Sequence, residues 1–147
     1  MGSTFSSLRA HIVFSTKDRR PFIHDNWRAD LHAYLGGTVR GLNAVPEAIG
    51  GVADHVHLLV SYRPVLAIAD LVRELKKASS VWSAETHEKL FGWQDGYSVF
   101  SVSASQKKRV VAYIANQEQH HHKQTFREEL EVLLRRHEIE FKPEYLD

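Results

Sequence analysis

The chain has 147 residues, 43% apolar and 25% charged, which is ordinary for one globular domain spanning residues 1–147. It has no cysteine, which excludes disulfide frameworks, thiolate zinc sites and cysteine nucleophiles and fits a cytoplasmic setting. No apolar run approaches the roughly 20 residues that cross a bilayer, residues 1–9 lack the apolar stretch of a signal peptide, and a formal net charge of +1 neither supports nor excludes a nucleic-acid partner.

Leu8, Ala10, Ile12 and Phe14 alternate with Arg9, His11, Val13 and Ser15, so residues 7–15 read as a strand. A basic loop follows, with Lys17, Arg19 and Arg20. Asp25 is placed to cap a helix whose apolar face is Trp27, Leu31, Tyr34 and Leu35, with Gly41 as its stop. Residues 43–52 read as a second strand, in which Pro46 prefers an edge. Ala53 and Asp54 turn tightly into a third strand, 55–62, that should pair antiparallel with the second. Ile68, Leu71, Val72, Leu75 and Trp82 space out a long helix over about 66–88. Tyr97 to Val102 alternates as a fourth strand. Ser103 or Ser105 should cap a helix over 105–121 with Val110 and Ile114 on its apolar side. Thr125 and Glu128 form a capping-box pattern that starts a final helix bearing Phe126, Leu130, Leu133 and Leu134. The tail, His137 to Asp147, is polar. Strand–helix–strand twice over is the ferredoxin-like, split βαβ arrangement: an α+β fold with a four-stranded antiparallel sheet, helices on one face, and C-terminal helices in addition.

Four groups of residues carry chemistry. His55 and His57 stand two apart on a strand, so they project from one face while Val56, Leu58 and Val60 take the other. Two adjacent imidazoles make half of a metal site, although on the pair alone half-exposed strand histidines are the simpler explanation. Tyr113 and Gln117 stand four apart on a helix and share a face. There a tyrosine nucleophile and an amide oxygen suited to Mg²⁺ or Mn²⁺ would complete the site, whereas the plainer alternative is a core tyrosine beside a solvated glutamine. His120 and His121, in the run His120-His121-His122, reach the same face as rival ligands or phosphate contacts, or else simply complement a helix C-terminus. Three basic sets stand near Trp82, Trp93 and Tyr97: Lys17, Arg19 and Arg20; Arg73, Lys76 and Lys77; Lys107, Lys108 and Arg109. Solvated surface would account for any one set, but three beside aromatics look like a nucleic-acid surface. On this reading Lys17, Arg73, Lys76, Lys77, Lys107, Lys108, Arg109, His120 and His121 are the candidate DNA contacts.

The segment Asp54-His55-Val56-His57-Leu58-Leu59-Val60 resembles the HUH motif (U, a hydrophobic residue) of the IS200/IS605-type tyrosine, or Y1, transposases. Tyr113-Ile114-Ala115-Asn116-Gln117-Glu118-Gln119-His120-His121 resembles their catalytic-tyrosine helix. The segments His11 to Lys17, Trp93 to Tyr97 and Phe100 to Ser103 are also similar, so the likeness runs from about residue 8 to 145. One departure is Ala53, where the family often has proline, and nothing catalytic depends on it. The domesticated transposases associated with repeated extragenic palindromes (REP) share these motifs.

The resemblance implies a divalent-metal endonuclease, using Mg²⁺ or Mn²⁺, that cuts and rejoins single-stranded DNA near hairpins. It implies a homodimer formed by joining sheets. By position, His55, His57 and Gln117 would be metal ligands and Tyr113 the nucleophile, leaving a 5′-phosphotyrosine and a free 3′-hydroxyl. In that family the tyrosine helix can complete the partner's site, so the resemblance leaves cis and trans action open. Lys76, Lys77 and Ser79 are expected backbone contacts on the ground of charge alone. The rival readings are a non-catalytic nucleic-acid binder on the same fold and a metal hydrolase that uses water, for which Tyr113 would be dispensable.

Overall fold

The computed structural model describes residues 2–146; Met1 and Asp147, the outermost residues of the two termini read above, lie outside the described residues. Four strands, β1 (Arg9–Ser15), β2 (Val45–Gly51), β3 (His55–Ser61) and β4 (Ser98–Ser101), form one sheet in the order β2-β3-β1-β4 with every neighbour antiparallel. The helices are α1 (Asp25–Gly41), α2 (Ile68–Thr86), α3 (Lys107–Ala115), α4 (Gln117–His120) and α5 (Phe126–Arg136). This is the expected ferredoxin-like order. No helix among the described residues is long and apolar enough to cross a membrane.

Period-two patterning gives the sheet two different faces. Ala10, Ile12 and Phe14 of β1 and Val56, Leu58 and Val60 of β3 pack with Leu31, Leu35 and Val39 of α1 and Leu71, Val72 and Leu75 of α2. That is the main core. The other face presents His11, Val13, His55, His57 and Leu59, and it is covered as well. Val13 and Phe100 pack with Phe126, Leu130, Leu133 and Leu134 of α5, and Leu59 packs with Val102 and Ile114. The C-terminal helices therefore turn the open face of a two-layer fold into an interior. Both strand histidines are fully buried, which replaces the half-exposed alternative.

Local structure departs from expectation at three places. Asp25 is the first residue of α1, not its cap: His24 holds that position, and Asp25 pairs instead with Arg28 at 3.0 Å. Ser103 and Ser105 bond each other at 3.0 Å and cap nothing; a 3-10 turn (Ala104–Gln106) leads into α3. The helix foreseen over 105–121 is broken at Asn116, whose φ of −99° and ψ of 22° separate α3 from α4. By contrast, the Thr125–Glu128 capping box forms at the start of α5. Pro46 lies on the edge strand β2 beside a register shift, as a residue without an N–H requires.

One glycine positions the catalytic-helix candidate. Gly50 of β2 pairs with His57 of β3, and a Cβ built on Gly50 would collide with the Ile114 carbonyl oxygen. The missing side chain lets α3 lie directly on the sheet beside the histidines.

Candidate active site and metal centre

β1 and β3 pair His57 with Val13, His55 with Ser15, and Leu59 with His11. All these side chains project to the face beneath α3, α4 and α5. Each helix lowers one group onto it: Tyr113 from α3, Gln117 from α4 and Glu129 from α5.

Glu129 is the hub. Its carboxylate is 1% exposed. Oε1 lies 3.0 Å from His57 Nε2, 3.3 Å from His55 Nε2 and 3.1 Å from His121 Nε2. Oε2 accepts from Gln117 Nε2 at 2.9 Å and from the Tyr113 hydroxyl through a short hydrogen bond. The Gln117 amide spans the site, because its Oε1 lies 3.0 Å from His55 Nε2. The candidate nucleophile and the three foreseen ligands thus meet at one buried carboxylate.

The distal nitrogens of the histidines are also held. Asp54 Oδ1 lies 2.7 Å from His55 Nδ1, the carboxylate–imidazole arrangement that orients metal ligands. His11 Nε2 lies 2.7 Å from His57 Nδ1, and His121 Nδ1 bonds the Gln124 carbonyl at 2.7 Å. A carboxylate only accepts, so a neutral His57 donates to Glu129 from Nε2. Its Nδ1 is then the acceptor and His11 Nε2 the donor. Binding a cation at Nε2 would require the proton to sit on Nδ1, with His11 Nε2 placed to accept it.

The electrostatics follow from burial and from these partners. Burial disfavours the His55 imidazolium, but carboxylates on both its nitrogens override that and push it up to about 9. Burial wins at His57, which falls to about 4 despite Glu129. Burial, and then His57, takes His11 down to about 3. Burial alone would raise Glu129, yet the hydrogen bonds from His121, His55 and His57 hold it far below the usual carboxylate range. Burial and the Glu129 charge push the Tyr113 phenol above its ordinary range, so the hydroxyl is protonated at neutral pH.

The donor set fits a divalent cation. Ligand atoms of His55, His121 and Glu129 lie within 4.8 Å of one another, and His57 Nε2 and the Gln117 amide adjoin them. Imidazole nitrogens with carboxylate and amide oxygens, and no sulfur, are the donors that hard to borderline ions take.

Three residues of the foreseen basic surface are engaged within the fold. Lys76 Nζ donates to the carbonyls of Gln94 at 2.8 Å, Asp95 at 3.3 Å and Gly96 at 2.6 Å, so it orders that loop. Lys107 pairs with Glu47 at 3.0 Å, and Arg73 with Asp70 at 3.0 Å and Glu74 at 3.6 Å. Ser79 is buried; it bonds the Leu75 carbonyl and accepts from Trp93 Nε1. Trp93 is buried and Trp82 stacks on Tyr34, which takes both from the list of free stacking surfaces. Lys17, Lys77, Lys108 and Arg109 remain exposed. His120 lies with its ring 4.7 Å from that of Tyr113, while His121 joins the candidate metal ligands.

Glu129 and His11 escaped the sequence reading. A signal for Glu129 was present: it falls on the apolar stripe Phe126, Leu130, Leu133, where a carboxylate is out of place unless it is partnered. His11 was visible as a strand residue, but its pairing with His57 is set by sheet register.

The profile of the family described as transposase, IS200 like, matches residues 4–117. Across 119 residues the chain is 39% identical to the ISDra2 transposase TnpA of Deinococcus radiodurans, a match covering 75% of this chain and 84% of the relative. A crystal structure of a candidate transposase from Deinococcus radiodurans superposes with a TM-score of 0.66 at 26% identity, covering 80% of this chain and 95% of that one. The REP-associated tyrosine transposase bound to a REP hairpin superposes with a TM-score of 0.61 at 15% identity, covering 82% and 74%, and so shares the fold. His11, His55, His57, Tyr113 and Gln117 fall inside the family match, whereas His121 and Glu129 lie beyond it.

Proposed function

The chain belongs to the IS200-like transposase family, and on that footing we propose that it cleaves and rejoins single-stranded DNA through a covalent bond to Tyr113. The observation that carries this reading is the convergence on Glu129: Tyr113, Gln117, His55 and His57 reach one carboxylate from three separate elements. A solvated glutamine and a plain core tyrosine would not share a buried anion with two strand histidines.

In the proposed step the Tyr113 oxygen attacks the scissile phosphorus, the P–O3′ bond breaks, and the products are a 5′-phosphotyrosine and a free 3′-hydroxyl. The bond energy kept in the phosphotyrosine permits rejoining. His55, His57, Gln117, His121 and Glu129 would hold the cation, with Asp54 and His11 fixing the imidazoles. When bound, a divalent cation supplies Lewis-acid stabilisation of charge on the phosphate oxygens. The share of imidazole in the set favours Mn²⁺ over Mg²⁺. Tyr113 keeps its proton on a hydrogen bond to Glu129, and the imidazoles leave that carboxylate little basicity. The hydrogen bond to Glu129 Oε2 fixes the direction of the Tyr113 hydroxyl.

DNA with hairpin ends is the proposed substrate, a homodimer joined through sheet edges the proposed assembly, and the cytoplasm the proposed location. Tyr113 lies beside His57 of its own chain, an arrangement compatible with action in cis. The test is a denaturing gel of the protein with end-labelled single-stranded DNA carrying a hairpin, plus Mn²⁺. We expect a protease-sensitive shifted band that Tyr113→Phe abolishes while hairpin binding persists. Cleavage that continues in Tyr113→Phe would replace the nucleophile assignment with water-driven hydrolysis.

A further inference from the structure

A cleft of about 430 Å³ opens beside Tyr113, and none of the metal-centre residues lines it. Buried His11 and half-buried Tyr113 form its floor, Val110 and Leu133 give it apolar wall, and Arg109 of α3 and Arg136 of α5 stand exposed at its margin. The volume lies near the lower end of the roughly 300–1,000 Å³ typical of small-molecule sites. Unlike Arg28 and Arg73, which pair with carboxylates, Arg109 and Arg136 have no ion pair or hydrogen bond among the described residues. Two unmatched guanidinium groups at one mouth are a built preference for an anion, and their planar forks suit phosphate.

The direction of attack decides which part of a DNA strand belongs there. In-line displacement places the leaving 3′-oxygen across phosphorus from the Tyr113 oxygen. The departing strand therefore lies on the far side of the phosphate. The nucleotide that stays attached through its 5′-oxygen leaves phosphorus from the flank and can fold back beside the tyrosine ring.

From this we infer that the cleft between α3 and α5 is the subsite for the retained strand. It would seat the nucleotide 3′ of the scissile phosphate against Val110 and Leu133, with Arg109 and Arg136 on its phosphates. The inference rests on the tyrosine-transposase reading and adds a strand polarity to it. Arg136 lies beyond the segment that the family profile matches.

The test uses full-length protein in chelator, so that no chemistry intervenes, and measures fluorescence anisotropy with random-sequence single-stranded heptanucleotides. One set carries a 5′-phosphate and the other a 5′-hydroxyl. Wild type should bind the 5′-phosphorylated set more tightly. Arg136→Gln and Arg109→Gln should each weaken that binding roughly tenfold and lower the salt slope by about 0.7, while binding of the 5′-hydroxyl set changes less. Both side chains are exposed, and unchanged thermal melts confirm that the variants fold. No preference for the 5′-phosphate, or equal affinity in both variants, overturns the subsite. A gel with Mn²⁺ separates the two failures. A wild-type covalent adduct alongside unchanged variant affinity sinks only the cleft assignment, and no wild-type adduct at all sinks the transposase reading.

Discussion

Replacing Glu129 by glutamine keeps the shape of the hub and removes its charge. In the metal-free protein at pH 7, His55 is protonated and rests between Asp54 and Glu129. The rise of His55 from 6.5 to about 9 corresponds to ~3 kcal/mol of tighter proton binding in the fold, shared between the two carboxylates. Glutamine halves the acceptor capacity that serves three imidazole nitrogens, Tyr113 and Gln117, and it leaves a buried imidazolium with one partner. The expected loss of stability is ~2–4 kcal/mol. Urea denaturation in chelator, followed by tryptophan fluorescence, measures it. Because a ligand is lost as well, Mn²⁺ affinity read by electron paramagnetic resonance should fall roughly a hundredfold or more. An unchanged urea midpoint with unchanged Mn²⁺ affinity would refute both roles. Tighter Mn²⁺ binding in the variant would show that the carboxylate competes with the cation.

Four further outcomes follow from the structure. If His55 Nε2 holds the cation, Mn²⁺ must displace the His55 proton below about pH 9, so apparent affinity should rise about tenfold per pH unit and then level off; calorimetry showing no pH dependence would contradict it. In the metal-free fold the His55 contribution is complete below 6.5 and lost as pH rises through about 9. The contributions of His57 and His11 are complete above 6.5 and lost as pH falls through about 4 and about 3. Melting temperature in chelator should therefore peak near about pH 6.5. Gly50→Ala drives a methyl group at the Ile114 carbonyl, should destabilise by ~1–3 kcal/mol, and should impair adduct formation more than hairpin binding; equal activity on the gel would show that α3 can yield. Lys76→Met should cost about 1–2 kcal/mol of stability by freeing three carbonyls with little change in the DNA salt slope, whereas Lys77→Ala should lower that slope by roughly 0.7–0.9 at constant stability.

The strands, the long helices and the capping box were legible because each rests on a local signal: alternation, 3.6-residue spacing, or a Thr and a Glu three apart. The four-residue spacing of Tyr113 and Gln117 pointed to one site, and both do reach it, though from two helices. The break at Asn116 was invisible because nothing in Ala115-Asn116-Gln117 forbids helix. The role of Glu129 was hidden because it depends on a long-range fact, the folding of α5 over a sheet face whose covering local patterns cannot assign. Lys76 shows the same limit. Its charge suggested DNA, and only the carbonyls of residues 94–96, nearly twenty positions on, reveal what it holds.

The break at Asn116 makes α3 and α4 two levers where a continuous helix would be one rod. On a single rod, any swing of the phosphotyrosine would drag Gln117 off His55 and loosen the cation at the moment a strand is attached. On the proposed mechanism, the joint at Asn116 would let the arm bearing Tyr113 carry its strand toward a new 3′-hydroxyl while the amide stays at its post. An alanine at that joint, by favouring the rod, would tie strand movement to metal release.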